Sequence, residues 1–428
     1  MSGGSASPAP APRSSDPGSP LVWLFAGFPL WWALGLGPVC WIGFGLVMAA
    51  ALLRRRRIRV PRGFGWWLAF CGWVVVSALQ ILGPHVVGVG WRMAMYFSAT
   101  MVFLYVYEHD EHEISGERIA GALTALWVAT VAGGFLGLLL PGRSFATPFE
   151  LLLPGGLTNN PFVRQLVHPQ LSSVQVFLGY PVPRPQAPFP YANHWGSVYA
   201  VLVPVVLGYL STRGGRRWRG PLAFVAVASI VPLAFSLNRT AWISLAVGLV
   251  YAGFFVMPDR RAQAARAGLV AVAVLATVLL LTPIGSLVTD RVNNGHSDEG
   301  RANLYHQSIA LALDSPLVGF GAPLDKADGT SPPPIGTQGH LWLVLVSQGI
   351  PGLVLFMGWI VILFRSTRRA TGTLARWYHV PLLIFLVQLP FYDMLPFQLC
   401  IVFATSALAL RTVGARAATV PAATAVPA

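Results

Sequence analysis

The sequence predicts an all-α polytopic membrane protein with about twelve transmembrane helices and two long external loops. Three observations carry that prediction. Of 428 residues, 55% are hydrophobic and only 10% are charged, against roughly 25% charged in soluble domains. The apolar residues gather into stretches near the roughly 20 that a spanning helix needs. The arginine-rich connections between those stretches alternate with arginine-poor ones, so that they fall together on one side.

The elements follow in order. Met1 to Pro20 is rich in Ser, Pro, Ala and Gly and has no positive segment followed by a short apolar one, so it is expected to be a disordered cytoplasmic tail. The apolar run Leu21 to Leu53 is interrupted near its middle by Gly35, Gly37 and Pro38, which suggests two short or tilted spans, with one kinked helix as the alternative. The further spans are Gly63 to Leu82, Val86 to Tyr107, Arg118 to Leu140, Ala192 to Leu210, Pro221 to Phe235 and Ala241 to Met257. Ala267 to Leu281, His340 to Phe364, Val380 to Phe391 and Leu395 to Leu410 complete the set. The transmembrane domain is thus 21–410, and 411–428 is a second disordered cytoplasmic tail. The segments 141–191 and 283–339 are too long for simple connections, and both are read as irregular external loops roofing a site.

An even number of spans puts both termini on one side. Arg54 to Arg62, Arg213 to Arg219, Arg260 to Arg266 and Arg365 to Arg376 then share that side, which retention of positive loops makes the cytoplasm. Eight cations remain on the outer side or at its rim: Arg92, Arg143, Arg164, Arg184, Arg239, Arg291, Arg301 and Lys326. Topology, not nucleic acid, accounts for most of the net charge of +14, because a nucleic-acid binder gathers its cations on one soluble face. Cys40, Cys71 and Cys400 lie in apolar runs without a disulfide or zinc spacing. The acidic loop Glu108 to Glu117 is read as a solvated turn rather than a metal site.

Three outer stretches could carry chemistry. Ser236 to Trp242 places Arg239 at an outer helix end, where a rim arginine is costly enough to imply function, the other reading being a snorkelling anchor. Arg301 is expected to open an amphipathic helix that ends at Ser315-Pro316 and Gly319-x-Gly321. A helix amino end with a guanidinium suits a phosphate, although Arg301 could also pair with Asp298 or Glu299. His340 opens a span that continues to Gly349 and Gly352, and there it could serve as a base or simply cap the helix.

Taken together, these stretches resemble the O-antigen ligase and O-antigen polymerase superfamily of bacterial membrane glycan transferases. The resemblance rests on Ser236, Arg239 and Trp242, on Arg301 followed by Ser315, Pro316, Gly319 and Gly321, and on His340 with Gly349 and Gly352, in that order. Asn193 and His194, opening a span, look like the Asn-containing segment of the same family. One departure stands out: the family histidine aligns with Gln338, and the histidine of this chain comes two positions later.

The resemblance implies a GT-C-like, metal-independent transferase without cofactors, acting on the outer face of the cytoplasmic membrane in polysaccharide biosynthesis. Its donor would be a glycan on polyprenyl diphosphate, held by Arg239 and Arg301. His340 would receive or orient the proton of an acceptor hydroxyl on a glycan, lipid or wall polymer, with Asn193, His194, Asn238 and Gln338 supporting the site. The rival readings are a secondary transporter of a small anion, disfavoured because polar residues concentrate outside rather than at the midplane, and an inactive membrane scaffold.

Overall fold

The computed structural model describes residues 16–81, 86–177, 180–256, 296–324 and 334–419. The first apolar run is broken twice. Helices α1 (Ser19–Phe25), α2 (Phe28–Ala33) and α3 (Cys40–Leu53) are separated at Gly27, ahead of the proline in the first turn of α2, and at Gly35 to Val39. Gly35 has φ +84°, and a Cβ there would sit 2.2 Å from the Thr147 hydroxyl. Glycine is therefore required where the loop beyond α6 docks onto this break. Then come α4 (Phe64–Ala78), α5 (Val86–Glu108) and α6 (Gly116–Leu139).

The 141–191 segment departs from the irregular loop expected of it. It forms α7 (Pro148–Leu152), α8 (Gly155–Thr158), α9 (Pro161–Val167) and an antiparallel hairpin of β1 (Ser172–Phe177) and β2 (Tyr180–Pro185). Thr147 and Glu150 make a reciprocal capping box that starts α7. The prolines of β2 recur at every second position, facing Val176, Val174 and Ser172. That period leaves the intervening N–H groups to the ladder, so a proline-rich strand is tolerated in a two-stranded sheet. The protein is therefore not wholly α-helical.

The remaining helices are α10 (Ala192–Ser211), α11 (Arg213–Arg216), α12 (Arg219–Ala228), α13 (Ile230–Phe235), α14 (Arg239–Phe255), α15 (His296–Asp314), α16 (His340–Thr367), α17 (Thr373–Gln388) and α18 (Phe397–Thr419). Five of the described helices, α5, α6, α10, α16 and α18, are long and apolar enough to cross a membrane, and several shorter apolar helices accompany them. The described helices overlie eleven of the expected spans; Ala267 to Leu281 lies outside the described residues. This is a membrane protein. In its core α10 packs between α6 and α17, while α5 packs against α3 and α18.

The boundaries of both expected tails shift. Asp16 pairs with Arg118 and α1 begins at Ser19, while the last helix runs on to Thr419 because Arg411 is held by Glu111 and by the carbonyls of His109 and Ile114.

Contacts sort the connections to two ends. At one end Arg55 meets Glu108 at 3.4 Å and Glu113 at 2.9 Å, and Arg59 meets Asp110 at 3.1 Å. The Gly214 amide donates to Glu117, and the Tyr378 hydroxyl to the Gly116 carbonyl. The acidic loop is thus not a freely solvated turn. It lies among the arginine-rich connections, where carboxylates offset crowded positive charge. At the opposite end lie α7, the hairpin and the starts of α10, α14 and α16.

Candidate functional site

The site is built from three local structures. The first is an elbow between α13 and α14. The Ser236 hydroxyl and the Trp242 indole both donate to the Leu233 carbonyl, at 2.6 and 3.0 Å, closing the chain back on the end of α13. Leu237 between them has φ +49°, a strained value for a branched side chain that holds only where the surroundings over-determine it. Asn238 then caps α14 by accepting from the Ala241 amide at 3.0 Å. The pattern Ser-x-x-Arg-x-x-Trp is therefore a turn that presents Arg239 in the first turn of α14.

Asn238 also ties the elbow to the outer loop. Its Nδ2 donates to the Asn193 carbonyl at 3.3 Å, and Gly196 leaves the space that its amide occupies. Arg184, carried in on β2 and buried, donates to the Ser236 carbonyl at 2.8 Å and to Asn193 Oδ1 at 3.1 Å. This guanidinium is spent on backbone and amide oxygens of the elbow.

The second local structure is the start of α16. Its first amides would lack partners in an isolated helix, but His340 N–H donates to the Tyr392 carbonyl at 2.8 Å and Leu341 N–H to the Leu389 carbonyl at 3.1 Å. The Trp342 indole donates to the Pro390 carbonyl at 2.9 Å, and a Cβ at Gly339 would lie 2.3 Å from that same oxygen. The turn 389–393 is thus clamped to the helix start. It brings Asp393 Oδ1 to 3.1 Å from His340 Nδ1.

The His340 side chain is fully buried, whereas that of Asp393 remains 43% exposed, so the cluster opens to solvent at the carboxylate. On the other ring edge, Nε2 lies 3.2 Å from the Tyr96 hydroxyl. Partial desolvation by the packed side chains around it pushes the Asp393 carboxyl up, but the hydrogen bond and charge of His340, then His194 and the Leu395 amide, outweigh it and hold the group below its ordinary value. An ionised Asp393 fixes the proton on Nδ1, which leaves the Nε2 lone pair facing Tyr96.

Tyr392 joins the two structures. Its carbonyl receives the His340 amide, and its hydroxyl donates to Asn238 Oδ1 beside Arg239. Two of the residues expected from sequence, Arg239 and His340, therefore sit at neighbouring helix starts linked through one tyrosine. His194 is buried at the start of α10 between the rings of Tyr191 and Phe397, couples electrostatically to Asp393, and has no partner for Nδ1 among the described residues. Gln338 does not join. Its amide closes the turn before α16 through the Pro334 carbonyl at 2.9 Å and the Gly336 amide at 3.2 Å.

The third structure joins α15 to α16. Helix α16 breaks at Gly349, φ +66° and ψ −170°, which frees carbonyls in the preceding turn. The Phe320 amide donates to the Val346 carbonyl at 2.9 Å, the Gly321 amide to Ser347 at 2.7 Å, and the Ile350 amide to Pro316 at 2.8 Å. The two glycine-containing patterns are thus halves of one joint.

Helix α15 begins at His296, earlier than the Gly300-Arg301 start expected from the sequence. Ser297, Asp298 and Glu299 suit the first turn of a helix better than its approach. Arg301 lies within α15, one turn before Tyr305, whose ring stacks at 4.7 Å on Trp342 in the first turn of α16. The Arg301 side chain lies outside the described residues.

Sequence reasoning missed Asp393 and Tyr96. Asp393 had a signal, an acidic residue alone in the short outer connection between the last two apolar stretches. Tyr96 had none, because an aromatic in a spanning helix looks like packing.

Fold and cluster together define a membrane protein with a buried histidine, a carboxylate and an arginine-bearing helix start converging at one end of its helices. Residues 222–357 match the protein family described as O-antigen ligase, which bears out the resemblance to the O-antigen ligase and polymerase superfamily and spans all three motifs. No curated protein and no solved structure matches the chain. The family indicates a membrane glycan ligase or polymerase.

Proposed function

We propose that this protein transfers a glycan from a polyprenyl-diphosphate carrier to an acceptor hydroxyl at the outer face of the cytoplasmic membrane. The observation that carries this reading is the buried Asp393–His340 pair with Nε2 turned toward a hydroxyl, linked through Tyr392 to the helix start bearing Arg239. An acceptor oxygen attacks the anomeric carbon as its proton passes to His340 Nε2, and the bond to the diphosphate oxygen breaks with the electron pair leaving on the diphosphate. Asp393 stabilises the imidazolium that forms, a task for an ionised acid on the far ring nitrogen.

Arg239 and Arg301 are the residues assigned to the leaving diphosphate, whose charge a guanidinium fork neutralises best in a site of low dielectric. Asn193, Asn238 and His194 frame the acceptor side, and Gln338 shapes the turn before α16. Purified protein given a defined lipid-linked glycan and an acceptor tests the reading. Release of polyprenyl diphosphate with formation of a glycosylated acceptor is the expected result, and its absence in an intact preparation would exclude it.

A further inference from the structure

One cation near this cluster has no place in the mechanism above. Arg92 lies in the first two turns of α5, a helix long and apolar enough to cross a membrane. It is one turn before Tyr96, so both share a helix face, and Tyr96 is the residue 3.2 Å from His340 Nε2. The guanidinium folds back along α5 toward the helix start, 3.7 Å from where a Cβ on Gly88 would stand. Among the described residues no hydrogen bond or ion pair engages it, although it couples at longer range to Asp393 and Tyr96.

A partly buried arginine in an apolar helix, with no donor engaged among the described residues, is costly and calls for an anion. A long-range interaction with Asp393 offsets part of the charge but satisfies none of the donors. The exposed flank of Asp393 leaves the cluster open to an incoming group. Arg184, by contrast, is already bonded to the elbow.

Resting on the transferase reading, we propose that Arg92 is a further phosphate-binding guanidinium, which receives the diphosphate of the lipid-linked donor from the α5 side. It would hold that group beside Tyr96 and His340. The ligand class is a polyprenyl diphosphate rather than a monophosphate, because a second phosphoryl group adds charge and spreads the terminal oxygens over a longer span, so that arginines approaching from two sides can each hold one phosphoryl.

Full-length protein in nanodiscs, titrated separately with undecaprenyl diphosphate and undecaprenyl monophosphate, tests this. Arg92→Met should weaken diphosphate binding by at least about tenfold and monophosphate binding far less. Arg92→Lys, which keeps the charge without the fork, should fall between. In turnover the loss should appear in the KM for the donor with the acceptor KM unchanged. Unaltered diphosphate affinity in both Arg92 variants, with loss in Arg239→Lys, would overturn the inference alone. Equal losses for donor and acceptor, or diphosphate affinity restored when Asp393→Asn is added to Arg92→Met, would make Arg92 a counter-charge to Asp393 and overturn it equally. A wild-type protein that binds no diphosphate would overturn the transferase reading and this inference with it.

Discussion

Gly319 and Gly349 meet backbone to backbone. A Cβ on Gly319 would lie 2.6 Å from the Gly349 amide nitrogen, and one on Gly349 would lie 2.6 Å from the Leu317 carbonyl oxygen. Both have φ +66°. Thirty residues of sequence separate them, yet together they fasten the end of α15 into the break of α16. Positions that read as family markers are thereby explained as a steric requirement.

Alanine at either glycine should therefore be poorly tolerated. A positive-φ backbone costs an ordinary residue about 1–3 kcal/mol before the clash with backbone atoms is added, and the φ +66°, ψ −170° of Gly349 is a region that essentially only glycine enters. Gly319→Ala and Gly349→Ala should each lower the melting temperature in detergent and reduce transfer. Gly372→Ala is an informative control, because that glycine also has positive φ but meets nothing within 4 Å. It should lose stability from strain alone and keep its activity.

His340→Ala should abolish turnover while leaving lipid-linked donor bound, since the diphosphate is assigned to the arginines. The expected loss is about a hundredfold or more. Gln338→Ala should cost much less, because its amide closes a turn outside the cluster. Single-turnover assays with a defined donor separate these outcomes, and normal turnover in His340→Ala would remove the proposed base.

Asp393→Asn tests the pair directly. The folded carboxyl lies below its ordinary value of 3.8, so the pair contributes stability above that pH and loses it as pH falls through the folded value. Melting curves of the wild type should hold level through the mildly acidic range and drop only at stronger acid. Asp393→Asn should flatten that acid drop and, at neutral pH, impair turnover by failing to hold the proton on Nδ1. An unchanged rate–pH profile in Asp393→Asn would show that the carboxylate does not act through His340.

Arg239→Lys and Arg301→Lys should each strongly reduce transfer at unchanged expression, because lysine retains the charge but not the two-pronged geometry. Full activity in both would refute a shared anion site.

Single cysteines in a cysteine-free background address sidedness. Impermeant thiol reagents on intact cells should label positions in 141–191 and spare those near Arg55, Arg217 and Arg368. Labelling at Arg217 would invert the topology.

The sequence by itself determined the membrane class, the broad run of helices and the family motifs, because spanning a bilayer imposes length and hydropathy on each segment independently of its neighbours. It also predicted that the connections Arg54 to Arg62, Arg213 to Arg219 and Arg365 to Arg376 would share an end, since charge segregation is written locally; Arg260 to Arg266 lies outside the described residues. The hairpin was not legible, because prolines alternating in a strand resemble an irregular loop until a partner strand supplies the ladder. The Asp393–His340 contact was decided only by tertiary structure: the two positions are 53 apart in sequence, and nothing in either segment specifies that the 389–393 turn will satisfy the free amides of α16. Which of Gln338 and His340 stands beside Asp393 was decided the same way. Position along the sequence favoured Gln338, but the docking of Gly339 against Pro390 sets where the helix starts, and that start carries the His340 ring into the cluster while Gln338 stays in the turn.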